Sequence, residues 1–209
     1  RESQRYMKLS VDAIMAIAFA IALGIVSVSR LFAPIFWGED FAPCAYILSA
    51  LALSIPFSGF ANVIRMQYLI PNGMDGAYIL SVILGAVSNL TANSLLIPRC
   101  GALGAAVGTV IAEGVVCAAQ CLAVKKRIDI LAYLKSTAFF GMAGLLMYGA
   151  VRVLDQRAEI TVSWLLLEIV VGGSVYCILS VLYLYHTKNE LLMTALQKLG
   201  GAHQNNDRG

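Results

Sequence analysis

The chain has 209 residues, 59% hydrophobic and 13% charged, with a formal net charge of +3 and a mean hydropathy of +0.78. Soluble domains average about 45–50% apolar and about 25% charged residues, so the composition excludes an ordinary soluble fold. The small charge surplus gives no reason to invoke nucleic acid as a partner. Six apolar stretches of about twenty residues each can cross a hydrocarbon core about 30 Å thick. The predicted fold is an all-α, polytopic bundle of six transmembrane helices.

The first predicted span is Leu9–Val28, followed by a polar bend carrying Arg30, Gly38, Glu39 and Asp40. The second, Ala42–Ile64, contains Pro56, which lacks a backbone donor and predicts a kink. A loop from Arg65 to Gly76 holds the turn signal Pro71-Asn72-Gly73. The third span, Ala77–Ile97, is joined to the fourth, Ala102–Val124, by the short loop Pro98–Gly101, so the two are predicted antiparallel neighbours. Gly101, Gly104 and Gly108, with the alanines between them, suit close helix contact. The basic run Lys125-Lys126-Arg127 ends the fourth span; Leu134–Val151 and Val162–Tyr185 are the fifth and sixth. The tail from 188 to 209 reads as a short surface helix built on Leu191, Leu192, Ala195, Leu196 and Leu199, then a disordered polar end.

Lys and Arg set the predicted orientation. With a cytoplasmic N-terminus, Arg1, Arg5, Lys8, Arg65, Lys125, Lys126, Arg127, Lys135, Lys188, Lys198 and Arg208 fall inside, and only Arg30, Arg99, Arg152 and Arg157 outside. Both ends are therefore expected in the cytoplasm. The chain starts at Arg1, and its first apolar segment is too long for a signal peptide, so it reads as the C-terminal part of a longer protein. Cys44, Cys100, Cys117, Cys121 and Cys177 read as buried small hydrophobes. Cys117 and Cys121 share a helix face, but His186 and His203 are too distant in sequence to complete a metal set. No cofactor is expected. Tyr46, Tyr68, Tyr78, Tyr133, Tyr148, Tyr183, Tyr185, Trp37 and Trp164 cluster near span ends, as interface belts do.

An ionisable side chain at the bilayer centre costs at least about 2.5–3.5 kcal/mol, so it faces a partner or a wet cavity. Glu113 lies mid-way along the fourth span, Asn89 mid-way along the third, and Asn93 one turn on. Asn89 and Glu113 lie at similar distances from the tight loop and are expected to approach each other, as interhelical glue or as part of a cavity. Arg65, after Asn62 and at the mouth of the kinked second span, is either a snorkelling anchor or a phosphate contact. Glu168 is expected to line the lateral surface or pair locally, and Asp12 to be solvated at the interface. No phosphate loop, zinc motif or nucleophile–histidine arrangement is present, which disfavours ATP hydrolysis and an enzyme.

Several segments together resemble a known family: Leu31-Phe32-Ala33-Pro34-Ile35-Phe36-Trp37-Gly38, Tyr68-Leu69-Ile70-Pro71-Asn72-Gly73, Gly85-Ala86-Val87-Ser88-Asn89, Asn93-Ser94-Leu95-Leu96-Ile97-Pro98, Gly101-Ala102-Leu103-Gly104-Ala105-Ala106 and Ala112-Glu113. In order and spacing they resemble the C-terminal half of a bacterial polysaccharide flippase. This is the Wzx-like branch of the superfamily that also holds the MATE drug exporters and the peptidoglycan lipid flippases. The resemblance covers residues 1–125 best. It implies that residues 1–125 supply four helices completing the C-terminal lobe, residues 126–187 an appended pair, and 188–209 a cytoplasmic tail. It further implies a non-enzymatic transporter in the bacterial cytoplasmic membrane that flips undecaprenyl-diphosphate-linked oligosaccharide by alternating access. Its partners would be that lipid-linked oligosaccharide, membrane lipids and an N-terminal lobe of the same protein, without which this chain is not expected to transport. Arg65, Asn62, Asn89, Asn93 and Glu113 are the cavity candidates. The alternatives are a small-cation or drug exporter of the same fold, a membrane enzyme acting on lipid-linked sugars, and a scaffold without transport.

Overall fold

In the computed structural model of the protein, residues 2–156 and 159–187 are described, with side chains from Arg5 onward. The tail expected at 188–209 lies outside the described residues. Among the described residues all regular structure is helical, as expected: α1 (Glu2–Trp37), α2 (Cys44–Ala52), α3 (Ser54–Ile64), α4 (Asp75–Val124), α5 (Ile130–Asp155) and α6 (Val162–His186).

Helix α1 runs nine residues past the predicted end of the first span, through Pro34, and stops at Gly38. Arg30 does not open a bend, because its guanidinium donates to Asp155 on α5 at 2.9 Å. Termination falls to Gly38, whose φ of 97° lies where residues with a Cβ rarely go. The second span is split into α2 and α3 at Leu53. Pro56 explains the break: it has no N–H for the carbonyl one turn earlier, and α2 ends at that residue, Ala52. A π turn over Arg65–Leu69 follows α3, with Ile70 N–H donating to the Arg65 carbonyl at 3.0 Å.

Among the described residues five helical stretches are long and apolar enough to cross a membrane. The third, α4, is a hairpin, and it supplies two of the six expected crossings. Gly101, at φ 55° and ψ −134°, reverses the chain in a geometry close to the corner of a type II′ turn. The arms, residues 75–100 and 102–124, then close on each other. Gly104 abuts the Leu96 carbonyl, Gly108 faces Asn93, Gly85 faces Val116, and Gln120 Nε2 donates to Ser81 Oγ at 3.2 Å. The predicted loop shrinks to one residue because Pro98 and Arg99 stay helical.

The bundle packs α1 at its centre, against α2, α3, α5 and α6, while the α4 hairpin leans on α2 and α3. At one end Met7, Val11, Phe60, Ile64, Leu69, Val124 and Tyr133 form a common apolar core. This end gathers the start of α1, the end of α3, both tips of the hairpin and the start of α5, as six alternating crossings require. At the other end lie Arg30, the start of α2 and Asp155. Gly144 against Leu23 and Gly172 against Met147 bring α1, α5 and α6 close together. Leu90, Leu145, Val170 and Leu182 are exposed, as side chains facing lipid would be. The chain is a multi-pass membrane protein.

Two polar expectations change. Asp12 is not solvated at an interface; it is buried and accepts from Ser136 Oγ on α5 at 2.8 Å, because α5 covers the first turns of α1. Glu168 neither faces lipid nor pairs locally. It is 1% exposed, and neither carboxyl oxygen has a hydrogen-bond partner. The aromatic belts are also partly internal: Tyr133 is buried, and Tyr183 stacks on Phe139 at 3.9 Å.

Candidate functional site

Polar side chains recur at helical spacing on two facing elements. Ser58, Asn62 and Arg65 share one face of α3 and its π turn. Glu113 and Gln120, two turns apart, share one face of the second hairpin arm. Where these faces meet, with Tyr78 from the first arm, they line a cavity of about 310 Å³.

Arg65 is held in place from two sides. One terminal nitrogen donates to Asn62 Oδ1 and the other to the Tyr78 hydroxyl at 3.2 Å, with the guanidinium carbon 5.3 Å from the centre of the Tyr78 ring. Among the described residues no carboxylate lies within ion-pair reach of it, and its Nε is buried without a partner. Across the cavity Glu113 accepts from Ser58 Oγ at 2.6 Å. Gln120 spends its amide N–H on Ser81, which leaves its carbonyl oxygen buried and unpartnered. Two residues of the cavity wall, Arg65 and Gln120, therefore each carry one buried polar atom without a partner. The π turn that begins at Arg65 adds a residue to the helical repeat there, a distortion frequent at functional sites.

Three of the five predicted residues, Arg65, Asn62 and Glu113, are thus brought together. Asn89 and Asn93 are elsewhere, on the hairpin seam. Asn93 Nδ2 donates to Asn89 Oδ1 at 2.9 Å, and Asn93 Oδ1 is buried against Gly108 without a partner. Hairpin register does put Asn89 at the depth of Glu113, but no hydrogen bond joins them. Asn89 lies on the seam one turn from both Gly85 and Asn93, whereas Glu113 is rotated off it toward Ser58 on α3. From the sequence, Ser58 and Gln120 carry no expected role and Tyr78 is placed in an interface belt. The signal for two of them was present as the i, i+4, i+7 run Ser58, Asn62, Arg65 and the seven-residue step from Glu113 to Gln120.

An ionic cluster lies at the opposite end. Arg30 and Arg152 both donate to one oxygen of Asp155, at 2.9 and 3.0 Å, and Arg152 Nε donates to the Tyr148 hydroxyl at 2.8 Å. None of the five cysteines is buried as expected: Cys44, Cys117 and Cys121 are half-buried, and Cys100 and Cys177 are exposed. Among the described residues no group of three or more His, Cys, Asp or Glu is placed to hold a metal ion.

No protein-family model matches the sequence, and no curated protein matches it. Among solved structures the chain is similar to "Lipid II flippase MurJ, inward closed conformation", with a TM-score of 0.77 and 19% identity over 90% of this chain. The match covers 41% of that protein, so this chain spans less than half its length. At that identity the likeness shows the fold: this chain adopts the helical membrane architecture of part of a lipid II flippase.

Proposed function

We propose that the chain is the C-terminal part of a bacterial cytoplasmic-membrane flippase that moves undecaprenyl-diphosphate-linked oligosaccharide by alternating access. The observation that carries this reading is the polar cavity around Arg65, found within a fold shared with a lipid II flippase. A diphosphate and its sugars need a hydrated path, while the lipid tail can stay in the bilayer. Arg65 offers phosphate a guanidinium that is not ion-paired, and Asn62, Ser58, Gln120 and Glu113 offer the mixed donors and acceptors that sugars use. The break at Leu53, the π turn at Arg65 and the single-residue hinge at Gly101 are places where helices can bend or slide.

In this reading residues 1–125 complete one lobe, residues 126–187 are an appended pair, both ends are cytoplasmic, and an N-terminal lobe closes the other side of the path. A small-cation exporter would call for an acidic wall; here Arg65 and Glu113 share the wall, so it carries no surplus of negative charge. The test is flipping of labelled lipid-linked glycan in vesicles by the full-length protein. Arg65→Gln is expected to lower the rate by about tenfold, the worth of one charged hydrogen bond. Wild-type flipping by that variant, with equal protein in the membrane, refutes the assignment.

A further inference from the structure

A second, larger cavity of about 720 Å³ opens at the opposite end of the bundle from Arg65, between α1, α2 and α5. Its wall is positive. Arg30 and Arg152 both donate to the same oxygen of Asp155, so one carboxylate answers two guanidinium groups. Each arginine uses only part of its fork. Arg30 spends one nitrogen on Asp155; Arg152 spends one there and its Nε on Tyr148. Because the Tyr148 oxygen accepts that bond, its own proton is available to donate. The side chains of Arg30 and Arg152 are 66% and 48% exposed, so their remaining N–H groups are accessible.

Pro43, Ala45 and Tyr46 at the start of α2 also border the cavity, but the Ala45 and Tyr46 N–H groups are already bonded to the Ala42 and Pro43 carbonyls. Ser29 and Ser49, also on the wall, are already occupied. Ser49 donates to the Ala45 carbonyl and the two hydroxyls lie 2.8 Å apart, which fixes α1 against α2. Glu39 and Asp40 are exposed on the preceding turn and do not line the cavity. Glu168 borders a different cavity and makes no hydrogen bond to either arginine, although it lies within electrostatic reach of both.

We propose that this cavity binds a phosphate-type anion, held by the free N–H groups of Arg30 and Arg152 and by the Tyr148 hydroxyl. A headgroup of an anionic phospholipid and a phosphate or diphosphate from a soluble or lipid-linked ligand share that chemistry. Buried Asp155 holds the two guanidinium groups together, and in doing so competes with the anion for them. The site does not depend on transport, so its failure leaves the flippase reading to its own test.

The experiment measures binding to the full-length protein in nanodiscs. One arm uses neutral phosphatidylcholine discs titrated calorimetrically with inorganic diphosphate; the other uses discs containing phosphatidylglycerol, read by native mass spectrometry for one retained headgroup per chain. To keep the Arg65 cavity out of the signal, every measurement is made in the Arg65→Gln background. Saturable binding in the first arm identifies a mobile phosphate, and retention in the second a lipid headgroup; either supports the site. Arg30→Gln with Arg152→Gln is expected to weaken binding by at least about tenfold. Should that pair misfold, Tyr148→Phe is expected to weaken binding about threefold and Asp155→Asn to tighten it about threefold. Absence of binding in both arms at millimolar concentration overturns the proposal. So does binding that none of these variants changes.

Discussion

Replacing Gly104 by alanine tests the hairpin that sets the whole arrangement. A Cβ built on Gly104 stands 2.5 Å from the Leu96 carbonyl oxygen, 2.6 Å from its carbonyl carbon and 2.9 Å from the Ile97 nitrogen. Ordinary contact begins near 3.4 Å, so the arms must part by about 1 Å. What blocks the methyl group is backbone of the facing helix, which cannot rotate aside as a side chain can. Overpacking of this kind costs about 1–3 kcal/mol. The second arm also carries Glu113, nine residues on, so the same displacement threatens its 2.6 Å bond with Ser58. Gly114→Ala is the control, because nothing lies within 4 Å of a Cβ there. Thermal unfolding of both variants in detergent, followed by circular dichroism, is expected to show Gly104→Ala melting below the wild type and Gly114→Ala alongside or above it. Identical melting of the two variants would refute the close backbone contact and the hairpin geometry built on it.

Glu113→Gln keeps the Ser58 contact but cannot lose a proton; if Glu113 couples transport to a proton gradient, vesicle flipping should lose its pH dependence, and an unaltered pH profile rules that role out. Glu168 is buried with both oxygens unpartnered, so Glu168→Met should raise stability by about 1–3 kcal/mol in denaturation experiments, while a loss of stability would mean that the carboxyl has a partner in the assembled protein. Asp12→Asn preserves size and leaves an acceptor for Ser136 Oγ, so it is expected to destabilise less than Asp12→Leu, which removes the α1–α5 bond and leaves that hydroxyl only the Tyr133 carbonyl of its own helix; equal melting of the two would show that the contact contributes nothing.

The sequence alone determined the number of crossings, their approximate limits and the antiparallel turn near Gly101, because a bilayer demands about twenty apolar residues per helix and a short loop leaves no other path. Pro56 announced the break at Leu53 for an equally local reason, a missing donor. It also singled out Arg65, Asn62 and Glu113, since charge and amide groups stand out in an apolar run. What it could not determine was direction around each helix axis. Asn89 and Glu113 share a depth, yet a rotation of about 100° per residue sends one into the hairpin seam and the other toward α3. The same holds for Asp12, buried by a helix 124 positions later in the chain, and for the convergence of Arg30 and Arg152 on Asp155. Hydropathy reads position along the membrane normal; only packed helices decide which side chains meet.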